Sequence, residues 1–226
     1  MAILEQILSP LTFTEFKRDY LFQKPFAAPA TALEFRKLIS WPLLLEIFAN
    51  QKKESGYNCW VARKGRLPDD PALTSGSLDF NRAHRAFDEG YTILVRHSEK
   101  AHPALAKIGS DFEEFFHDPV DIQLYVTPAG EEGFDWHYDL EEVFVIQSSG
   151  EKEFYLREPK VIPSLNRVEL PEKIDFANHF QGAEVRCHLK AGDVLYIPAG
   201  WWHKARALTP SFHLSVGVLS RERRRL

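Results

Sequence analysis

A chain of 226 residues with 44% hydrophobic and 27% charged residues suits a single globular domain with a substantial core. A net charge of −4 gives no general attraction to nucleic acid, and no stretch approaches the roughly 18 apolar residues of a membrane span. The two cysteines, Cys59 and Cys187, stand in unrelated contexts, which excludes a disulfide framework or a cysteine-based zinc cluster. The N-terminus lacks the basic start of a signal peptide, so a reducing cytoplasm is the expected location.

In chain order, the first 120 residues read as helices with a few strands. Ser9-Pro10 with Thr12 or Thr14 signals a helix through Phe16 to Leu21. Thr31 can cap a helix through Leu33, Phe35 and Leu38, and WPLLLEIFANQ predicts another starting near Pro42, whose fixed φ suits a first turn. YNCWVAR (57–63) predicts a strand, and RLPDDPALTSGS predicts a loop. A short helix from Phe80 to Phe87, a strand over 91–96 and a helix from Pro103 to Phe116 complete this part. The domain organisation expected is one unit over 1–226, with a helical N-terminal layer over 1–120 and a β core over 121–220.

From Asp121 the pattern changes. DIQLYVTP alternates, with Gln123, Tyr125 and Thr127 on one face and Ile122, Leu124 and Val126 on the other. Short strands are then predicted at Phe134–Tyr138, Val143–Gln147, Glu153–Leu156, Glu184–Leu189, Val194–Ile197, His203–Ala207 and Phe212–Val218. Turn signals such as Ser148-Ser149-Gly150 and Ala191-Gly192-Asp193 separate many of them. Regular short strands of this kind predict a sandwich or barrel. Pro159–Gln181 reads as an insertion loop between its halves. The basic tail RERRRL reads as a solvated end.

The chemistry concentrates in GFDWHYDLEEVFVIQSSGEKEFYL. On a strand alternate side chains share a face, so His137 and Asp139 point the same way. They supply two-thirds of a 2-His-1-carboxylate set, which leaves positions open on a non-haem Fe(II) ion. The best third ligand is His203, in GDVLYIPAGWWHKA, on the layout a double-stranded β-helix needs. Each piece alone is ordinary structural material: one H-x-D among nine histidines, one histidine beside tryptophans, a lysine in a turn.

Taken together, TPAGEEGFDWHYDLEEVFVIQSSGEKEFYLREP and LKAGDVLYIPAGWWHKARAL resemble the JmjC-type cupins among the Fe(II)- and 2-oxoglutarate-dependent oxygenases. The likeness is to the ribosomal-oxygenase branch and, in the WWH step, to the asparaginyl-hydroxylase branch. It implies a mainly β fold with N-terminal helices, a double-stranded β-helix (jelly-roll) barrel. It also implies His137, Asp139 and His203 as catalytic iron ligands, with 2-oxoglutarate as cosubstrate and O2 as oxidant. Lys152 matches the basic residue for the distal carboxylate of 2-oxoglutarate, and Tyr125 the tyrosine that shares it. Gln123 stands where the ribosomal branch has asparagine. Thr127 and Ser215 are carried as cosubstrate-pocket positions, and His213 either lines that pocket or fills space. Trp136, Trp201 and Trp202 either wall the cavity or pack in the core.

The implied activity is hydroxylation of a protein or peptide side chain, with a small-molecule hydroxylase as the alternative. Ribosomal-branch relatives carry a dimerisation region and a winged helix after the barrel, whereas this sequence runs to Leu226, which keeps both substrate classes open. Two other readings stay in view: a non-oxidative metal cupin recruiting Glu141 or Glu142 as a further ligand, and a binding module without turnover.

Overall fold

The computed structural model describes residues 2–49, 58–70, 73, 78–161 and 176–220. The expected tail at 221–226, most of the insertion at 162–175, and much of the 66–77 loop lie outside them. Two short helices open the chain, α1 (Ile3–Ile7) and α2 (Phe13–Asp19), the second closed by a capping box between Thr12 and Glu15. Strand β1 (Phe26–Ala28), helix α3 (Trp41–Ala49), strand β2 (Asn58–Ala62), helix α4 (Phe80–Asp88), strand β3 (Thr92–Arg96) and helix α5 (Pro103–Phe116) follow. The barrel strands are β4 (Val120–Thr127), β5 (Glu142–Ser149) and β6 (Glu151–Pro159). After helix α6 (Phe176–His179) come β7 (Phe180–Lys190), β8 (Val194–Ile197), β9 (Trp202–Ala207) and β10 (Ser211–Val218).

Among the described residues, ten strands form two antiparallel sheets. One has seven strands in the order β1-β8-β5-β10-β4-β3-β2; the other has three, β7-β6-β9. Non-sequential neighbours such as β10 between β4 and β5 give the double-stranded β-helix topology that the family resemblance implies.

Strand alternation decides what each side of the large sheet does. Ile122, Leu124 and Val126 of β4, Phe144 and Ile146 of β5, and Leu214, Val216 and Val218 of β10 point to one side. There they join Leu4, Phe16, Ile47, Leu105 and Phe112 of the helical layer in one core. Phe144 is the centre of that docking, with ring contacts to Phe16, Phe112, Phe116 and Tyr196 at 4.9–5.7 Å. The other side faces the small sheet, where Val143, Val145, Leu195 and Ile197 pack on Phe154, Leu156, Leu189 and Trp201. The space between the sheets is therefore apolar at one end, and the residues left over at the other end are polar.

Two expectations are corrected. The helix predicted from Thr31 is only a 3-10 turn, Leu33–Phe35, because the Thr31 hydroxyl donates to the carbonyls of Ile7 and Ala28 instead of capping the helix. Strand β1, which no sequence signal marks, pairs with β8 through Phe26 and Tyr196. The predicted strand Phe134–Tyr138 is a loop with a single bridge, His137 to His203, while Trp136 and Tyr138 both bury in a cluster with Phe180 and Trp202. Alternate residues there do not go to opposite faces of a sheet. The helix α1 escaped the sequence pattern, since five residues carry too little periodicity to read. Among the described residues no helix is long and apolar enough to cross a membrane.

Candidate metal and cosubstrate site

The centre of the site is the bridge between His137 and His203. Each backbone N–H donates to the other's carbonyl, at 3.1 and 2.7 Å, and this holds the imidazole centroids 4.3 Å apart. Both rings are oriented the same way. Nδ1 of His137 is 2.7 Å from the Asp135 carbonyl and Nδ1 of His203 is 3.0 Å from the Trp201 carbonyl. A carbonyl can only accept, so each Nδ1 carries the hydrogen and each Nε2 keeps its lone pair for the site. The Asp139 carbonyl accepts from the Gly200 N–H at 2.9 Å, which ties the loop after H-x-D to the turn before β9. Its carboxylate lies 3.4 Å from Nε2 of His203. One donor atom from each of His137, Asp139 and His203 falls within 4.8 Å of the others, a set of two nitrogens and one oxygen suited to a divalent transition metal.

The protonation states follow from this crowding. Burial, with His203 beside it, pushes His137 down to about 4. Burial also acts on Asp139, but the bond and charges of His203 and the nearby His137 and Arg96 outweigh it and hold the carboxyl at about 2. His203 moves the other way: burial opposes its charge, and the hydrogen bond and charge of Asp139 raise its proton affinity above the ordinary imidazole value.

Behind the cluster a recess of about 600 Å³, open mouth included, runs between the two sheets. Gln123, Tyr125, Lys152, His213 and Ser215 line it, with Val143, Val145, Phe154 and Ile197 as apolar walls. Lys152, on the inward face of β6, is buried; its Nζ donates to Thr127 Oγ1 at 3.1 Å and lies 5.8 Å from the Tyr125 ring. Burial alone pushes its ammonium down to about 7. The Tyr125 hydroxyl donates to Gln123 Oε1 at 2.9 Å, the Gln123 amide donates to Asp121 at 3.1 Å, and burial raises the Tyr125 hydroxyl well above its usual range. His213 stacks on Tyr125 with centroids 4.7 Å apart and, among the described residues, keeps a buried Nδ1 without a hydrogen-bond partner. Its proton affinity is far below normal, through burial first and Lys152 second.

The sequence-derived residues thus converge, with exceptions. Thr127 does not line the recess; it stands behind and holds Lys152. Trp136 and Trp202 pack with Tyr138 and Phe180, and Trp201 packs between the sheets, so none of the three walls the cavity. Glu142 is buried against the Tyr196 hydroxyl, and neither it nor Glu141 joins the cluster of ligand atoms. Residue patterns missed a second, outer chamber of about 870 Å³, open to solvent and lined by Trp60, Leu94, Arg96, Leu140 and Leu219. These residues come from four distant segments and carry no shared motif. A second group, His97, Glu99 and Asp121, also brings ligand atoms together. Its carboxylates already accept from Arg96, Gln123 and the backbone N–H groups of His97 and Ile122.

The fold and the cluster define a jelly-roll barrel of the cupin type with His137, Asp139 and His203 gathered at its mouth. A model of the JmjC domain matches residues 96–226, and the chain belongs to that family. It is 30% identical over 226 residues to the bifunctional lysine-specific demethylase and histidyl-hydroxylase NO66 of Drosophila persimilis, covering 94% of this chain and 31% of that protein. It is 28% identical over 235 residues to ribosomal oxygenase 2 of Bos taurus, covering 96% of this chain and 47% of the relative. The chain therefore spans about a third to a half of the length of these curated relatives. Among solved structures, Escherichia coli ycfD superposes with a TM-score of 0.62 at 21% identity, over 92% of this chain and 53% of that one. Another structure of that protein, a ribosomal oxygenase in complex with cobalt and 2-oxoglutarate, gives 0.61 at 20% identity, over 92% and 52%.

Proposed function

We propose that this chain is an Fe(II)- and 2-oxoglutarate-dependent oxygenase that hydroxylates a side chain of a protein or peptide. The observation that carries the proposal is a His-Asp-His cluster opening onto a recess whose buried lysine has, among the described residues, a hydroxyl and no carboxylate as its hydrogen-bond partner. A buried ammonium without a counter-charge is costly, and a dicarboxylate in the recess would supply the missing partner. The relatives' names, histidyl-hydroxylase and ribosomal oxygenase, favour a substrate residue held on a larger body. The outer chamber, open at Trp60 on edge strand β2, suits the same presentation. The two cysteines are free, in keeping with a reducing cytoplasm.

In this reading His137, Asp139 and His203 hold the metal, and the carbonyls of Asp135 and Trp201 keep both imidazoles in the ligating tautomer. Lys152 binds the distal carboxylate of the cosubstrate, with Tyr125, Gln123 and Ser215 completing the polar lining. Val143, Val145, Phe154 and Ile197 exclude water from that end. When bound, iron, O2 and 2-oxoglutarate supply the oxidising power, and the cosubstrate leaves as succinate and CO2.

The test is to load the protein with Fe(II) and 2-oxoglutarate without oxygen, admit oxygen, and measure succinate. Slow turnover in the absence of substrate is expected, and it should vanish in His137→Ala and Asp139→Ala. Metal and 2-oxoglutarate binding with no succinate from the wild-type protein would refute the oxygenase reading in favour of a binding module.

A further inference from the structure

The inner recess and the outer chamber share six lining residues: Gln123, Tyr125, Phe134, His137, Asp139 and Glu141. They form the waist that a substrate group must reach to approach the metal-binding set. Of the polar ones, only Glu141 has no place in the machinery described so far. It follows the H-x-D loop immediately before β5, and among the described residues no hydrogen bond or close ion pair ends on its carboxylate. Burial, with Asp139 and Asp121 beside it, pushes that carboxyl up to about 7, and Arg96, the cation that opposes this shift, is already engaged: it donates from Nη2 and Nε to Asp121 Oδ2, at 2.8 and 3.3 Å.

The carboxylate of Glu141 rests against the last strand. It lies on Gly217 of β10, where a Cβ would stand 2.0 Å from Glu141 Oε2 and 2.8 Å from its carboxyl carbon. Gly217 does not have the left-handed backbone that would require glycine, and it pairs within the sheet with Asp121 on one side and Val143 on the other. A glycine inside a central strand weakens that strand, and close approach by another group is the usual reason to find one. Here the approaching group is an acid aimed at a cavity. Around it the chamber walls are Phe134, Leu140 and Trp60, apolar or aromatic surfaces that accommodate the stem of a charged side chain.

We propose that Glu141, seated on Gly217, is a specificity-determining residue whose carboxylate receives an N–H-bearing cationic group of the substrate: an ammonium, a guanidinium or an imidazolium. The proposal rests on the oxygenase reading and adds to it the chemistry by which the substrate is held at the waist. A carboxylate accepts such groups through short charge-assisted hydrogen bonds and offers nothing to an aliphatic or anionic head.

The test uses the full chain loaded with Mn(II) and 2-oxoglutarate under argon, so that binding is read without turnover. The probes are the N-acetyl amides of arginine, lysine, histidine, leucine and glutamate, whose capped ends leave the side chain as the only variable charge. Line broadening of each probe's proton resonances by the bound Mn(II) reports its residence near the metal. At least one cationic probe should be retained about tenfold more strongly than leucine, the gain of one charge-assisted contact in a shielded site, and the three cationic arms identify which group fits. Glu141→Gln and Gly217→Ala, one removing the charge and the other its seat, should each bring that preference close to parity. The proposal is overturned if no probe is retained, if charged and uncharged probes bind alike to the wild-type protein, or if the preference survives in Glu141→Gln. Failure to bind Mn(II) or 2-oxoglutarate at all is seen before any probe is added; it would sink the oxygenase reading and this inference with it.

Discussion

Replacing Lys152 by methionine should stabilise the ligand-free protein and abolish its stabilisation by 2-oxoglutarate. The lysine is 3% exposed, and burial takes its ammonium from 10.5 to about 7. At about 1.4 kcal/mol per tenfold change in proton affinity, that corresponds to a penalty of roughly 5 kcal/mol on the charged form below pH 7. Water entering from the open mouth relieves part of it, and the lost bond to Thr127 removes about 1 kcal/mol more, leaving a net gain of roughly 2–4 kcal/mol for the variant. The unfolded chain holds this proton more tightly than the folded one. Wild-type stability from this group therefore rises with pH between about 7 and 10.5. The gap between the two proteins should thus be widest below pH 7 and close towards pH 10. Urea unfolding in the presence of a chelator at pH 6.5 and 9.5 measures it, and thermal shifts with Mn(II), with and without 2-oxoglutarate, measure the second half. A variant less stable than wild type at pH 6.5 would refute the buried-charge reasoning. An undiminished 2-oxoglutarate shift would refute the pairing of Lys152 with the cosubstrate.

Two further outcomes are expected. Metal affinity should fall with pH: Asp139 holds a proton on His203 above the usual imidazole range, and the metal must displace it. The Mn(II) dissociation constant should rise about tenfold per pH unit below that point, and a flat calorimetric profile from pH 8 to 5.5 would contradict the coupling. Phe144→Ala should cost about 3–5 kcal/mol in urea unfolding, because its ring joins β5 to α2, α5 and β8. A loss below about 1 kcal/mol would mean that the helical layer does not dock through that ring.

How far the sequence could be read depended on how local each signal was. The alternation in DIQLYVTP survived intact because one face of β4 packs on helices and the other faces the recess, so two different environments enforce period two. The H-x-D segment kept its chemistry and lost its predicted strand. Its backbone finds a partner at His203 alone, and the flanking aromatics obey a different cluster. Thr31 caps no helix because its hydroxyl is satisfied by Ile7, a contact that no local pattern encodes. Lys152, read from residue type alone as a turn lysine, is buried because β6 is clamped between β7 and β9.

By itself, then, the amino-acid order determined which side chains were available, which of them alternate onto a common face, and which family's ligand pattern they match. The folded chain alone decided which of those groups meet: His137 with His203 across one bridge, Lys152 with the Thr127 hydroxyl, Glu141 on a glycine from the last strand. Residue identity and periodicity are properties of neighbours along the chain. Proximity between distant strands follows from the closure of two sheets around one core, and the hydrophobic pattern that drives closure does not state which polar residues it will leave facing each other.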